Sequence, residues 1–313
     1  KYARFISDNI GLEIDDKYIS AILPLGISFY TFQQIAYIVD VFQGKVKETG
    51  LLKYSFFVTF FPQLIAGPIV HHAEIIKQIG KRTHRITNFS EGIIYFVIGF
   101  IKKFVIADAL GVFVDPLFAL DHLPTFQESV VATLGFTFQI YFDFSAYSDM
   151  AMGLALIFGF RLPFNFFSPY KSRSIVEFWR KWHMTLSRFL RDYLYIPLGG
   201  NTHGEFIRYR NLMLTMLIGG LWHGAAWSFV IWGALHGMLL SIVHLKAKYF
   251  PKFHLGIFSY VLTFISVALL WVLFRADSMA TAVNIYKGFA NYKGLTFGSD
   301  FGWIGISMIL VLL

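Results

Sequence analysis

The sequence predicts an all-α membrane protein: a polytopic helix bundle with re-entrant and interfacial helices. Three observations predict it. The 313-residue chain is 56% hydrophobic and 15% charged, with a mean hydropathy of +0.57. A soluble domain carries about 25% charged residues and cannot hide this much apolar surface in one core. Apolar runs recur along the chain near the length of about 20 residues that one bilayer crossing needs. The lysines and arginines gather in the loops between those runs, as cytoplasmic loops do. The net charge of +8 therefore reads as a positive-inside signature, with anionic lipid or an anionic cosubstrate as partner rather than nucleic acid. The chain has no cysteine, which excludes thiol catalysis and disulfides. It begins at Lys1 and ends in an apolar run, Phe301 to Leu313, too short to span. Residues 1–313 thus read as a single transmembrane domain truncated at both ends.

Ala21 to Val41 is long enough for one crossing, and Pro24, Gln33 and Gln34 keep part of it from facing lipid. Leu52 to Val70 is broken by Pro62, Gly67 and Pro68. Broken helices at membrane depth survive only against protein or a wet cavity, so this segment is re-entrant or cavity-lining. The alternative is that Pro68 simply ends a helix. The loop His71 to Asn88, with Lys77, Lys81, Arg82 and Arg85, falls on the cytoplasmic side.

Ile93 to Ile106 then crosses outward, with Lys102 and Lys103 late enough to snorkel. The loop after it carries Asp108, Asp115, Asp121 and Glu128 without Lys or Arg, which suits the outer face. Val130 to Phe160 returns inward and places Gln139, Asp143, Ser145, Ser148 and Asp149 inside an apolar span. Gln139 shares a helix face with Asp143, and Ser145 with Asp149. Carboxylates at that depth are expensive. They either line a site or fix helix packing through a polar network.

Glu177 to Tyr195 reads as one amphipathic helix. With Ile175 just before it, Phe178, Trp179, Trp182, Leu186, Phe189 and Tyr193 form an apolar stripe, with Arg173, Arg180, Lys181, Arg188 and Arg191 opposite. Such a helix lies in the membrane interface. His183 falls on the border of the two faces, where an anionic cosubstrate would meet the membrane. The plainer reading is a lipid anchor with an incidental histidine. Pro197, Gly199 and Gly200 end the helix, and Arg208 and Arg210 keep the next loop cytoplasmic. Leu212 to Val243 is too long for one crossing, and Lys246, Lys248 and Lys252 follow it, so both flanks lie inside. Two shallow or re-entrant passes meeting at depth satisfy this, with Gly219, Gly220 and Gly224 allowing the turn. His223 then sits deep in the membrane. Gly256 to Phe274 crosses once more.

A neutral imidazole in an apolar site is a competent general base for a hydroxyl. A buried histidine can equally be a hydrogen-bonded packing residue. His71–His72 and His223–His236 lack metal-ligand spacing, so no metal is expected. No Walker A, dinucleotide or nucleophile-elbow motif occurs.

Taken together, YFDFSAYSDMAMG, PFNFFSPY, EFWRKWHMTLSRFLRDYLYIPLGGN and GGLWHGAAWSFVIWGALHG resemble the membrane-bound O-acyltransferase superfamily. LPLGISFYTFQQIAYIVDV and FFPQLIAGPI extend the likeness from about Leu23 to His236. The resemblance is to the bacterial branch, with its alginate and peptidoglycan O-acetyltransferases and its teichoic-acid D-alanyl transfer protein. It implies an acyltransferase domain, a bundle around a funnel or tunnel joining both membrane faces, in a multi-pass protein of the bacterial inner membrane. It implies acetyl-CoA as acyl donor with no tightly bound cofactor, and a cell-surface glycan hydroxyl as acceptor. That acceptor is reached directly or through an extracytoplasmic acetyltransferase partner. By motif, His223 corresponds to the essential histidine and His183 to a second one, which would position substrate or steady the oxyanion. Asn165, Arg180, Trp182, Asp143 and Trp222 are candidates for substrate binding. The rival is a transporter of a lipid-linked or anionic solute, with Asp143, Asp149 and His223 as a proton relay. A third reading is a non-catalytic scaffold.

Overall fold

The computed structural model describes residues 2–11, 26–47, 50–64, 67–80, 86–252 and 255–292, and among these every regular element is helical. The chain opens with α1 (Ala3–Ile10) and α2 (Ile27–Phe42). Pro24 lies outside the described residues, as do Lys81, Arg82, Arg85 and the run Phe301 to Leu313.

The broken segment is broken as its prolines require. Helix α3 (Leu51–Thr59) stops at Phe60, whose backbone is extended, and α4 (Phe61–Leu64) makes a single turn. Ile69 and Val70 beyond it are buried, and the Ile69 N–H donates to Thr185 Oγ1 at 2.9 Å. Irregular backbone here is covered by protein, as membrane depth demands. Helix α5 (His72–Ile76) follows.

Next come α6 (Ile86–Ile101), a π-helical turn (Lys102–Ala107) and α7 (Asp108–Leu117) in one continuous rod. Asp108 and Asp115 are therefore helical rather than in a loop. Helix α8 (Phe126–Ile157) is capped reciprocally by Thr125 and Glu128 and packs along the rod. At 32 residues it is about 48 Å long. Lys102 and Lys103 do not snorkel. They turn inward to Asp149 at 2.6 Å and Asp143 at 2.7 Å, because a carboxylate in an adjacent helix is a nearer partner than water.

The expected interfacial helix is two helices, α9 (Ile175–Lys181) and α10 (Met184–Leu190), with a π turn (Arg191–Tyr195) after them. Its apolar stripe does not face lipid. Phe178, Trp182, Leu186 and Phe189 are all at most 5% exposed. Stripe counting cannot tell burial against lipid from burial against protein, since both select the same residues.

The run Leu212 to Val243 does form a hairpin, but with long arms. Helix α11 (Glu205–His223) has 19 residues and α12 (Trp227–Tyr249) has 23, about 28 and 34 Å. The arms touch closely. A Cβ at Gly220 or Gly233 would collide with the carbonyl oxygen of Phe229 or Met216 on the facing arm, as in small-residue membrane interfaces. Helices α13 (Phe258–Arg275) and α14 (Met279–Gly288) complete the described bundle. Among the described helices, α12 and α13 are long and apolar enough to cross a membrane. The main core joins α8, α9, α12 and α13 through Phe138, Tyr170, Phe178, Trp182, Trp232 and Trp271. Aromatic pairs of this kind add about 0.5–1.5 kcal/mol each beyond their burial.

Candidate active site

His183 sits where the backbone breaks. Helix α9 ends at Lys181, and His183 adopts φ 42, ψ 55, the left-handed region. Ser168 shares that conformation, and these are the described non-glycine residues with positive φ. Each costs on the order of 1 kcal/mol and persists only where its surroundings enforce it. Here the enforcing element is the strand-like stretch Asn165–Phe167. The Phe167 N–H donates to the Lys181 carbonyl and the Met184 N–H to the Asn165 carbonyl, both at 2.9 Å. The turn drives the His183 ring inward, and the residue is 1% exposed.

The Asn165 side chain fixes that ring's tautomer. Its Oδ1 accepts from the Thr185 backbone N–H at 3.3 Å and the Thr185 hydroxyl at 2.9 Å, while its Nδ2 donates to Ser148 Oγ at 3.2 Å. A backbone N–H can only donate, so the atom facing it is the oxygen. His183 Nδ1 lies 3.1 Å from the same oxygen and must therefore carry the proton. The neutral ring is left with a lone pair on Nε2, which is buried without a protein partner. Phe144, at a centroid distance of 4.7 Å, meets the ring edge to face.

His223 ends α11 at the tip of the hairpin, half-buried in an aromatic surround. Trp222, Phe274 and Trp232 lie at centroid distances of 4.8, 5.0 and 5.4 Å. It is close enough to both His183 and His236 to interact with each electrostatically. His236, on α12, is fully buried. Its Nδ1 accepts from Trp179 Nε1 at 3.2 Å, and its Nε2 has no partner. The fold thus gathers three histidines, where sequence reasoning had singled out two. The signal is the second His-Gly pair, 13 residues after the first.

A cleft of about 850 Å³ opens beside this cluster, lined by α9, α10, α11 and α12. Four guanidinium groups, Arg180, Arg188, Arg191 and Arg208, border it. Arg188 is held by Glu74 in a two-toothed pair at 2.7 and 2.9 Å, and Arg191 by Asp192 at 2.7 Å. Arg208 meets His244 Nδ1 at 2.6 Å and has no carboxylate partner, and neither has Arg180, among the described residues. Two uncompensated guanidiniums over an apolar wall make an anion-binding cleft. Behind Arg188, His71 is held below its ordinary pKa by burial first and by the Arg188 charge second, against the pull of Glu74 and Asp40.

Of the remaining candidates, one flanks the site and two lie outside it. Trp182 is core, stacked on Phe178 at 5.6 Å and packed against Trp271 at 4.8 Å. Trp222 stacks on Phe32 at 4.8 Å and flanks His223. Asp143 does not join the histidines; it is ion-paired with Lys103 on the far side of α8. Among the described residues no His, Asp or Glu group has the arrangement of a metal site.

Comparison with known proteins agrees with this architecture. The sequence profile described as MBOAT, membrane-bound O-acyltransferase family, matches residues 43–282. The chain is 48% identical over 272 residues to the probable alginate O-acetylase AlgI of Pseudomonas aeruginosa, covering 87% of this chain and 52% of that one. It is 43% identical over 329 residues to the peptidoglycan O-acetyltransferase of Helicobacter pylori, covering 95% of this chain and 62% of that one. It is 31% identical over 232 residues to the teichoic acid D-alanyltransferase of Streptococcus thermophilus, covering 70% of this chain and 56% of that one. The chain spans about half the length of the curated relatives it matches first.

Proposed function

We propose, from the premise that the chain belongs to the membrane-bound O-acyltransferase family, that its protein moves acetyl groups onto a cell-surface polysaccharide. The donor is acetyl-CoA, entering from the cytoplasm. The acceptor is a hydroxyl of alginate, another exopolysaccharide or peptidoglycan, reached directly or through an extracytoplasmic partner transferase. The protein is a multi-pass component of a bacterial inner membrane. The relatives' names support the acceptor class.

The observation that carries the reading is an arginine-bordered cleft walled by Trp179, Met184 and Thr185, beside buried His183 and His236 and half-buried His223. Arg180 and Arg208 are suited to the phosphates of coenzyme A as charge-assisted donors. His223 acts as general base, taking the proton of the acceptor hydroxyl as its oxygen attacks the thioester carbonyl. His183, with its lone pair fixed inward by Asn165, accepts a hydrogen bond from a neighbouring hydroxyl of the acceptor and so aligns the attacking one. The expectation that His183 steadies the oxyanion does not suit this tautomer, because its inward nitrogen has no proton to donate. The thiolate leaves readily and takes up the proton held on His223.

The transporter reading needs mobile protons on Asp143 and Asp149, yet both are ion-paired with lysines and act as packing links. The deciding experiment follows radiolabelled acetyl-CoA with full-length protein and a membrane extract supplying the acceptor. Transfer by wild type that His223→Ala abolishes supports the reading. No turnover in either sinks the enzyme, and equal turnover in both removes His223 from catalysis.

A further inference from the structure

The tryptophans around the histidines each carry an N–H that burial obliges to find an acceptor. Trp179 donates to His236 Nδ1 at 3.2 Å and Trp271 to Tyr170 Oη at 3.1 Å. Trp232, 1% exposed, has no acceptor for its Nε1–H. His236, one helical turn further along α12, is fully buried with Nε2 equally unpartnered. Since an indole N–H can only donate, His236 Nδ1 holds the lone pair, and its neutral ring carries the proton on Nε2. This is the opposite tautomer to that of His183.

Trp232 and His236 therefore present two buried N–H donors, with no acceptor, from one face of α12. Their rings lie 4.6 Å apart, and the Trp232 ring is 5.4 Å from that of His223. The neighbouring indoles of Trp179 and Trp271 are satisfied, so the two open donors next to the base mark a place for a ligand oxygen.

We propose that Trp232 Nε1–H and His236 Nε2–H bind the acyl carbonyl oxygen of the thioester and hold it as an oxyanion during transfer. The proposal rests on the acetyl-transfer reading above. In the step, the acceptor oxygen bonds to the carbonyl carbon, the carbonyl π pair moves onto the oxygen between the two N–H groups, and the hydroxyl proton passes to His223. The C=O then re-forms as the C–S bond breaks, and the thiolate takes the proton from His223. Donors fixed by packing need no reorganisation as the charge develops.

The test measures steady-state acetyl transfer from radiolabelled acetyl-CoA by full-length wild type, Trp232→Phe, His236→Leu and His236→Gln, with thermal unfolding of each. Trp232→Phe keeps an aromatic ring and removes only the N–H, while glutamine keeps a donor near Nε2. Removing one oxyanion donor lowers kcat about a hundredfold. That loss is expected in Trp232→Phe and His236→Leu, with KM for acetyl-CoA changed less than about threefold. His236→Gln is expected to recover at least about tenfold of the His236→Leu loss. The donor pair is overturned if Trp232→Phe keeps kcat within about threefold of wild type, or if glutamine does no better than leucine at equal stability. Should His236→Leu fail to fold, Trp232→Phe and His236→Gln decide alone. Wild type that transfers nothing overturns the parent reading as well, an outcome distinct from active wild type with unaffected variants.

Discussion

Two of the polar clusters in the apolar bundle are built on opposite principles. Along α8, Lys102 meets Asp149 and Lys103 meets both Asp143 and Asp108, each at 2.6–2.7 Å. Charge is matched by charge, and the cluster ties the α6–α7 rod to its neighbour. At the α9–α10 break and the hairpin tip, no carboxylate compensates the rings. There one nitrogen of His183 and one of His236 are tied down and the other is left open. A structural network closes on itself, because an unmatched buried group is costly. A site that waits for a substrate tolerates open atoms because the substrate will close them.

That contrast can be broken by substitution. The largest expected effect is His223→Ala, which should lower acetyl transfer by about 10³-fold or more while leaving thermal unfolding nearly unchanged, in keeping with loss of a general base. Asp149→Asn should do the reverse. Leaving Lys102 unmatched in a partly buried pair costs up to about 3 kcal/mol of stability, read as a lower unfolding midpoint, while transfer per folded molecule stays near wild type. Substantial loss of turnover in folded Asp149→Asn would erase the distinction between the clusters.

Two smaller effects sharpen it. Asn165→Ala frees the His183 tautomer without touching substrate, and should lower kcat by about tenfold to a hundredfold, as loss of an orienting partner does, with KM for acetyl-CoA little altered. Arg180→Gln should leave kcat in place and raise KM for acetyl-CoA by about tenfold, the scale of one charge-assisted hydrogen bond. Added salt should narrow that gap. An unchanged KM would take the cleft out of donor binding.

The helical class, the run of apolar segments and the hairpin around His223 were legible because composition and apolar periodicity are local properties of the chain. The break in Leu52 to Val70 was legible too, since proline imposes it wherever it falls. The amphipathic count misled at His183. A 100° step assumes a continuous helix, and the left-handed turn that ends it is imposed by Asn165 and Phe167, which lie 14 or more residues upstream. Asp143 was misread for a related reason. An intramembrane carboxylate advertises itself in sequence, but the lysine that neutralises it comes from another helix.

By itself, then, the sequence determined that this chain is an all-helical membrane bundle and that His183 and His223 are the histidines to watch. Only the tertiary structure decided which ring nitrogen carries a proton, which carboxylates are already paired, and that His236 stands with the other two. The physical reason is that hydrogen-bond partners and ion pairs are chosen across helices, by distance in space. Residues such as Asn165 and His183, or Trp179 and His236, meet only once the bundle has closed.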